Sequence, residues 1–207
     1  KGNSANNYIG GVGFQPDLTW IKRRDTTENH ALWDSVRGVS NKIEPDRTNA
    51  EATTTTQLNS FNPDGFLLTG SSGQTNTSSG TFVAWNWDMG GSNASNTSGT
   101  ITSTVRANPT YGQSIVSYTG NAGSNQTVGH GLSSTPDMVI LRNRSDAADW
   151  NVGHIGLSTN EICILNTTSA KVNVTTYGGG GLGARGATTF TLADGTSNAN
   201  NVNASGN

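Results

Sequence analysis

The feature that most constrains the fold is a similarity between two parts of the chain. Residues 12–25 read VGFQPDLTWIKRRD and residues 130–145 read HGLSSTPDMVILRNRS, and their Pro-Asp pairs lie 120 residues apart. Three further matches occur in the same order: Gly2-Asn3 with Gly120-Asn121, residues 30–38 with 149–157, and residues 65–68 with 190–192. Several matches at a nearly constant offset indicate a module that occurs twice, each copy spanning about 120 residues.

Each module is expected to be an antiparallel β-sandwich. Short runs rich in Val, Ile, Thr, Phe and Trp alternate with Gly, Asn, Ser and Thr clusters, which is typical of many strands joined by turns. Nowhere do apolar residues keep the three-to-four-residue spacing of a helix. We predict strands near residues 18–24, 30–36, 54–60, 65–69, 81–87, 100–106, 113–119, 137–143, 149–154, 161–166, 171–176 and 188–192.

The two modules should have matching strands at their centres. Pro16 and Pro136 each stand just before a predicted strand, where the missing N–H costs no ladder hydrogen bond. In the strands that follow, we expect Leu18 to match Met138 and Trp20 to match Ile140 in the core. The side chains of a strand alternate between faces, so a shift by one residue would turn this apolar set towards water.

The predicted boundaries place the first module at 1–90 and the second at 100–207. Residues 91–99 are polar and lack an apolar anchor, which predicts a linker or loop. Nothing precedes Lys1 to match the strand 114–118, and the second module ends before a match to 81–87. We therefore expect each module to lack one strand, and we expect the open sheet edges to be covered by flanking sequence, by exchange between the two modules or by a neighbouring subunit.

Composition excludes two classes of partner. Twelve basic residues face 14 acidic ones, so the chain has no basic field for a phosphate backbone, and we expect no nucleic acid partner. No apolar stretch approaches the roughly 20 residues that span a bilayer, so we expect no membrane insertion. Cys163 is the single cysteine, which excludes an intrachain disulfide, and its apolar neighbours predict a buried thiol.

No motif indicates catalysis. Asp17 and Asp137 recur, and a glycosidase needs two carboxylates at a fixed separation. An Asp after Pro commonly accepts hydrogen bonds from nearby backbone N–H groups, however, which explains the recurrence by the turn alone. No GxSxG element is present, and the glycine run at 178–181 lacks the Lys-Ser/Thr of a phosphate loop. We expect no enzymatic activity, no catalytic residue and no cofactor.

No metal site is predicted either. The three histidines His30, His130 and His154 share no metal-ligand spacing. Five acidic residues of the first module fit either loop solvation or calcium ligation: Asp25, Asp34, Glu44, Asp46 and Glu51. The DxDxDG pattern of a calcium loop is missing, so we expect no bound metal.

The tryptophans raise the question of a sugar-stacking surface. The apolar neighbours of Trp20 and the alternation around Trp85 and Trp87 favour core packing for most of them, with one exposed. For a glycan-binding site the favoured residues are Tyr177 and Arg185 beside the glycine run, an aromatic face and a bidentate donor on a flexible loop.

Five segments together resemble a known module: GFQPDLTWIKRRD, DSVRG, TNAEATTTTQLNSFNPDGFLL, GTFVAWNWDMGG and SIVSYTGNAGSNQTVGHGLSSTPDMVILRNRS. They are similar to a repeated module found in long structural proteins of tailed bacteriophages, cyanophages especially, and they cover nearly the whole chain. The resemblance implies a virion protein of tail-fibre or head-decorating material with a lectin-like jelly-roll fold. It implies no enzymatic activity and no ligand residues.

The sequence therefore predicts a structural and adhesion protein on the virion surface, as a tail-fibre, receptor-binding or capsid-decorating component. Its expected partners are copies of itself or other virion proteins, with a host-surface glycan as a further candidate. The alternative is a carbohydrate-binding module of a bacterial secreted enzyme or adhesin, and a glycan hydrolase comes third. A virion protein should contact other chains in many ordered copies, whereas a free module should be a monomer with an exposed aromatic groove.

Overall fold

The computed structural model describes residues 1–174, 182–192 and 202–206. The chain divides into unit 1 (Lys1–Asp46 and Glu51–Gly90) and unit 2 (Arg47–Ala50 and Gly91–Asn207). Across the described ranges every regular element is a β-strand, none is a helix, and all strand ladders are antiparallel. The prediction of an all-β protein made of antiparallel sheets is confirmed.

Unit 1 contains eight strands: β1 (Asn7–Ile9), β2 (Leu18–Arg23), β3 (Ala31–Asp34), β4 (Asn41–Lys42), β5 (Ala52–Thr53), β6 (Leu58–Asn62), β7 (Gly65–Leu68) and β8 (Phe82–Trp87). Three strands form a sheet in the order β1-β7-β6, and three form a second sheet in the order β3-β2-β8. Strands β4 and β5 form a separate pair.

The core of unit 1 joins side chains from both three-stranded sheets. Ile21 and Trp33 project from β2 and β3, and Leu58, Phe66 and Leu68 project from β6 and β7 into the same buried cluster. Two sheets that share one apolar core give unit 1 a sandwich-like construction.

The described strands of unit 2 are β9 (Ala94–Asn96), β10 (Ser103–Asn108), β11 (Gln113–Tyr118), β12 (Thr127–Gly129), β13 (Met138–Leu141), β14 (Asn151–His154), β15 (Glu161–Ile164), β16 (Val172–Asn173), β17 (Leu182–Arg185) and β18 (Thr189–Leu192). They form sheets in the orders β11-β10-β9, β12-β18-β17 and β13-β14-β15-β16. The core cluster again draws on two sheets, with Leu141 from β13 and Val128, Leu182, Phe190 and Leu192 from β12, β17 and β18.

Most of the longer strands agree with the sequence prediction, and the differences lie in short or displaced elements. The strand predicted near 54–60 is β6, which begins at Leu58. Six strands were not predicted: β1, β4, β5, β9, β12 and β17. Strand β9 lies inside the predicted linker 91–99, and β17 lies in the region interpreted as a flexible glycine loop. These strands have two to four residues, too few for a hydrophobic period to be visible.

The prediction that Leu18, Trp20, Met138 and Ile140 lie in the core is wrong. In β2 the buried residues are Thr19 and Ile21, so Leu18 and Trp20 project from the opposite face. In β13 Leu141 is buried, whereas Met138 and Ile140 are 54 % and 42 % exposed. Both runs, LTWI and MVIL, are almost wholly apolar, so the sequence alone does not reveal which face is buried.

Cys163 is exposed, which overturns the prediction of a buried thiol. The same alternation explains the result, since its neighbours Ile162 and Ile164 both point into the core.

Candidate functional site

Unit 1 has an aromatic face, formed by Trp20, His30, Trp85 and Trp87. Phe82 and Ala84 of β8 pack against the core. The alternation of a strand then places Trp85 and Trp87 on the outer face. Trp85 is 45 % exposed, a large apolar area for a residue in the middle of a strand.

Cross-strand pairing assembles this face. Trp20 lies directly opposite Trp85 in the β2–β8 ladder, and Leu18 lies opposite Trp87. The Trp20 and Trp85 ring centroids are 6.1 Å apart with the planes at 68°, an edge-to-face arrangement. Aromatic pairs prefer this geometry because the positive ring edge meets the negative face.

His30 orients Trp20 from the opposite side. The Trp20 indole Nε1–H donates a 2.8 Å hydrogen bond to Nδ1 of His30, and the two rings also meet edge to face at 5.6 Å. An indole N–H can only donate, so Nδ1 of His30 is unprotonated here and the neutral ring carries its proton on Nε2. Asp46 completes the anchor by accepting a 3.0 Å hydrogen bond from the His30 backbone N–H.

The electrostatics favour this neutral histidine. Burial lowers the pKa of His30 below its ordinary value of 6.5, and nearby Lys22 lowers it further, while Asp46 opposes both by attracting the imidazolium. The neutral ring at physiological pH keeps the Trp20 hydrogen bond intact. The aromatic face is therefore held by a neutral histidine ring, whose backbone is in turn fixed by the Asp46 carboxylate.

The acidic residues of unit 1 do not form a cation site. Arg37 contacts Asp34 and Glu51 at 2.5 and 2.7 Å, and Lys42 contacts Glu44 at 2.9 Å. The side chains of Arg37 and Asp34 are 7 % and 5 % exposed, so this is a buried ionic network rather than loop solvation. Ion pairing depends on which residues the fold brings together, so the sequence pattern predicted only loop solvation or calcium ligation for these residues.

The recurring aspartates have different surroundings. Asp17 is 1 % exposed, and its carboxylate accepts a 3.0 Å hydrogen bond from the Met89 N–H. Asp137 is exposed in unit 2. The buried Asp17 stabilises the chain that leaves β8, which is the backbone-bonding role expected of an Asp after Pro.

The histidines are held separately by local hydrogen bonds. Nδ1 of His130 accepts from the Leu132 N–H at 3.1 Å, and Nδ1 of His154 accepts from the Gly156 N–H at 3.0 Å. Within the residues that the structure describes, no group of three or more His, Cys, Asp or Glu side chains converges on a point that could hold a metal ion.

The predicted glycan residues are only partly described. Tyr177 lies outside the described residues. Arg185 ends strand β17 and is half-buried, so it does not sit on a flexible loop as expected. One of its guanidinium nitrogens lies 3.5 Å from the position where a side chain at Gly153 of β14 would begin. Arg185 thus packs over a neighbouring strand.

Outward-facing tryptophan rings that meet edge to face can bind another apolar or ring-shaped surface. Ring faces pack against sugar C–H groups or protein side chains and bury 150–250 Å² per aromatic residue, as a general range. The prediction that most tryptophans pack in the core is wrong for Trp20, Trp85 and Trp87, which project from the outer face. Trp33 and Trp150 are buried. The signal that identifies the aromatic face is the alternation Phe82-Val83-Ala84-Trp85-Asn86-Trp87, in which Phe82 and Ala84 share one side and the tryptophans the other.

Comparison with known proteins gives one match. The profile of the family described as a domain of unknown function, DUF7483, matches residues 1–206. The chain belongs to this family. No curated protein and no solved structure matches the DUF7483 chain. The match runs through both units, so the DUF7483 domain spans unit 1 and unit 2 together.

In the described part of the chain, no helix has the length and apolarity that crossing a bilayer requires.

Proposed function

We propose that this protein is a structural and adhesion component of a virion, exposed on the particle surface. The observation that carries the proposal is the aromatic face, in which Trp20 and Trp85 project outwards as a rigid pair and Trp85 is 45 % exposed. Exposed aromatic residues held in place by the fold are typical anchors of protein–protein contacts. The contacting partner is another copy of the chain, another virion protein or a host-surface glycan.

Each unit is proposed to be a copy of one lectin-like jelly-roll module. In unit 1, Asn76 accepts a 3.2 Å hydrogen bond at Oδ1 from the Asn3 N–H and donates from Nδ2 to the Ala5 carbonyl at 2.7 Å. Its backbone carbonyl accepts from the Ser4 N–H at 2.8 Å. Asn76 is fully buried and ties the first residues of the unit to the segment before β8.

The same three bonds occur in unit 2. Asn203 accepts at Oδ1 from the Asn121 N–H at 3.1 Å and donates from Nδ2 to the Gly123 carbonyl at 2.8 Å. Its carbonyl accepts from the Ala122 N–H at 2.8 Å. A recurring set of long-range hydrogen bonds around two buried asparagines supports the proposed duplication.

The central hairpins support it further. Leu18 pairs with Asp34 in unit 1, and Met138 pairs with His154 in unit 2, so both hairpins keep the same register at an offset of 120 residues. Trp20 and Ile140 also occupy matching positions, since both project outwards. The core position predicted for them is wrong.

The proposal includes no enzymatic activity. Asp17, one of the two recurring carboxylates, is buried and bonded to the backbone, where it cannot reach a substrate. General acid–base work on a glycoside needs two accessible carboxylates at a fixed separation.

The experiment examines particles of the phage that encodes the chain. Mass spectrometry of gradient-purified particles should detect the chain in a constant ratio to the major capsid protein, and gold-labelled antibodies should decorate the particle surface. Antibodies against the capsid protein supply the positive control. If the chain is missing from infectious particles, the virion assignment is wrong.

A carbohydrate-binding module is the second candidate, because the aromatic face also suits sugar stacking. Titration of the purified chain with host polysaccharides should then quench or shift tryptophan fluorescence, and Trp85→Ala should abolish the change. Tyr111→Ala is the matched control, since Tyr111 is a strongly exposed aromatic residue in unit 2.

A further inference from the structure

Three buried polar side chains of unit 1 form a closed triangle of hydrogen bonds: Lys42, Glu44 and Gln74. Nζ of Lys42 donates to Oε1 of Glu44 at 2.9 Å and to the amide Oε1 of Gln74 at 2.7 Å. Nε2 of Gln74 donates to Oε1 of Glu44 at 2.7 Å. Each of the three residues is at most 9 % exposed. A primary amine, a carboxamide and a carboxylate therefore meet at a place with little access to water.

The backbone holds the two charged members of the triangle side by side. Lys42 ends strand β4 and pairs with Ala52 of β5. The next residue, Ile43, exchanges two backbone hydrogen bonds with Leu32, at 2.9 and 3.1 Å. Residues two positions apart in an extended chain project to the same side. Lys42 and Glu44 therefore lie next to each other on one face.

Gln74 belongs to the turn between β7 and β8, and this turn is fixed by its own hydrogen bonds. The Ser72 carbonyl accepts the N–H groups of Thr75 and Asn76 at 3.2 and 2.9 Å, and the Ser72 hydroxyl accepts the Gln74 N–H at 3.3 Å. The buried Asn76 ties the turn to the first residues of the unit. The Gln74 amide is thus placed against its two partners by the fold, which is the condition for a fast intramolecular reaction.

In the proposed duplication, unit 2 has apolar residues at the corresponding positions. Ile43 pairs with β3, and Cys163, 120 residues later, pairs with β14. The neighbours of Cys163 are Ile162 and Ile164, and both are buried in a hydrophobic cluster. Apolar residues at such positions often stabilise a fold at least as well as a buried ion pair does. Folding alone therefore does not require charged residues there, and the triangle calls for a chemical explanation.

We propose that Lys42 and Gln74 form an isopeptide bond autocatalytically, with Glu44 as the general acid and base. Nζ of Lys42 contacts the amide oxygen, so it lies within about 4 Å of the amide carbon one C=O bond further on. Glu44 contacts both the attacking nitrogen and the leaving nitrogen, so one carboxylate can serve both proton transfers.

The step balances within the three side chains. The Lys42 ammonium gives a proton to the Glu44 carboxylate, and the neutral amine attacks the amide carbon of Gln74. Glu44 passes this proton, and then a second one from the attacking nitrogen, to Nε2. The bond from the amide carbon to Nε2 breaks and ammonium leaves. A new amide joins Nζ of Lys42 to the side-chain carbonyl of Gln74, and Glu44 is again a carboxylate.

The product is a covalent link between β4 and the turn that precedes β8. The reaction occurs once within each chain and turns over no external substrate. The inference goes beyond the proposed function, because it depends neither on the aromatic face nor on the place of the chain in a virion.

The test is the intact mass of the purified full chain after incubation at neutral pH. This mass should be lower than the sequence mass by one molecule of ammonia. Tandem mass spectrometry of a tryptic digest should find a branched peptide that joins residues 42 and 74, with cleavage after Lys42 blocked. A native chain at its full sequence mass, or an ammonia loss without the branched peptide, would overturn the proposal.

Two variants and a control assign the roles of the side chains. Lys42→Arg keeps the positive charge and removes the amine nucleophile, so this variant should keep its full sequence mass. Lys171→Arg, in the exposed ion pair of unit 2, is the matched control and should still lose ammonia. Glu44→Gln keeps the shape of the side chain and should form the branched peptide about a hundredfold more slowly after cell-free synthesis. An ammonia loss that persists in Lys42→Arg, or an unchanged rate in Glu44→Gln, would contradict the assignment.

Discussion

The indole Nε1–H of Trp20 donates a 2.8 Å hydrogen bond to Nδ1 of His30, and this bond exists only while His30 is neutral. The pKa of His30 lies below 6.5 in the folded chain because of burial. The unfolded chain therefore binds the proton first as pH falls. The His30 contribution to stability is complete above pH 6.5 and is lost as pH falls from there through the folded-state pKa.

His30→Gln supplies the comparison, since glutamine does not titrate. The difference in unfolding free energy between the native chain and His30→Gln should shrink as the pH falls below 6.5. The Trp20 indole proton should shift in NMR spectra over the same range. A difference that is independent of pH, with an unmoved indole resonance, would show that His30 does not hold Trp20.

Asn76 and Asn203 should contribute equally to the unfolding free energy of the chain. Asn76→Ala removes a buried side chain that bonds to the backbone at three positions, and should cost about 2–4 kcal/mol of unfolding free energy. Asn203→Ala should cost a similar amount. Asn6→Ala, at an exposed position, is the control and should cost less than about 0.5 kcal/mol. A large effect in one unit only would argue against the proposed duplication.

Arg37 should contribute far more to the unfolding free energy than an exposed cation in a similar ion pair. Arg37→Met leaves the buried Asp34 and the partly buried Glu51 without their cation and should cost about 3–5 kcal/mol in denaturant unfolding. Lys171→Met breaks the 2.8 Å pair with Glu161, in which Lys171 is 55 % exposed, and should cost less than about 1 kcal/mol. Equal losses of unfolding free energy in Arg37→Met and Lys171→Met would mean that the Arg37 network is solvated.

Cys163 should react in the native chain. Its side chain is exposed on β15, so a thiol reagent such as Ellman's reagent should modify one equivalent without denaturant. Cys163→Ser, the matched control, should release no colour. Modification that requires unfolding would place the thiol in the core, as the sequence suggested.

The sequence predicted the class of fold because strands leave a local signal. Residues Phe82–Trp87 are mostly of types with high β-propensity and lie between turn-forming stretches. They form a strand where one was predicted. Two-residue strands such as β4 carry no period at all. Their existence depends on pairing with residues far away in the chain.

The candidate site was less predictable for a different reason. A run such as LTWI is apolar on both faces, so only tertiary packing decides that Ile21 is buried and Trp20 is not. The His30 hydrogen bond joins residues ten positions apart across a hairpin. No composition or spacing rule foretells which of the two ring nitrogens will meet the indole.

The accessibility of Trp85 in the assembled particle tests the central claim most directly. Hydroxyl-radical footprinting with mass spectrometry should be performed on the purified chain and on intact particles under matched radical doses. The account predicts that oxidation of Trp85 falls in the particle, because the aromatic face is covered by a partner, while buried Trp33 stays unoxidised in both samples. Equal oxidation of Trp85 in the free chain and in particles that contain it would contradict a contact role for this face.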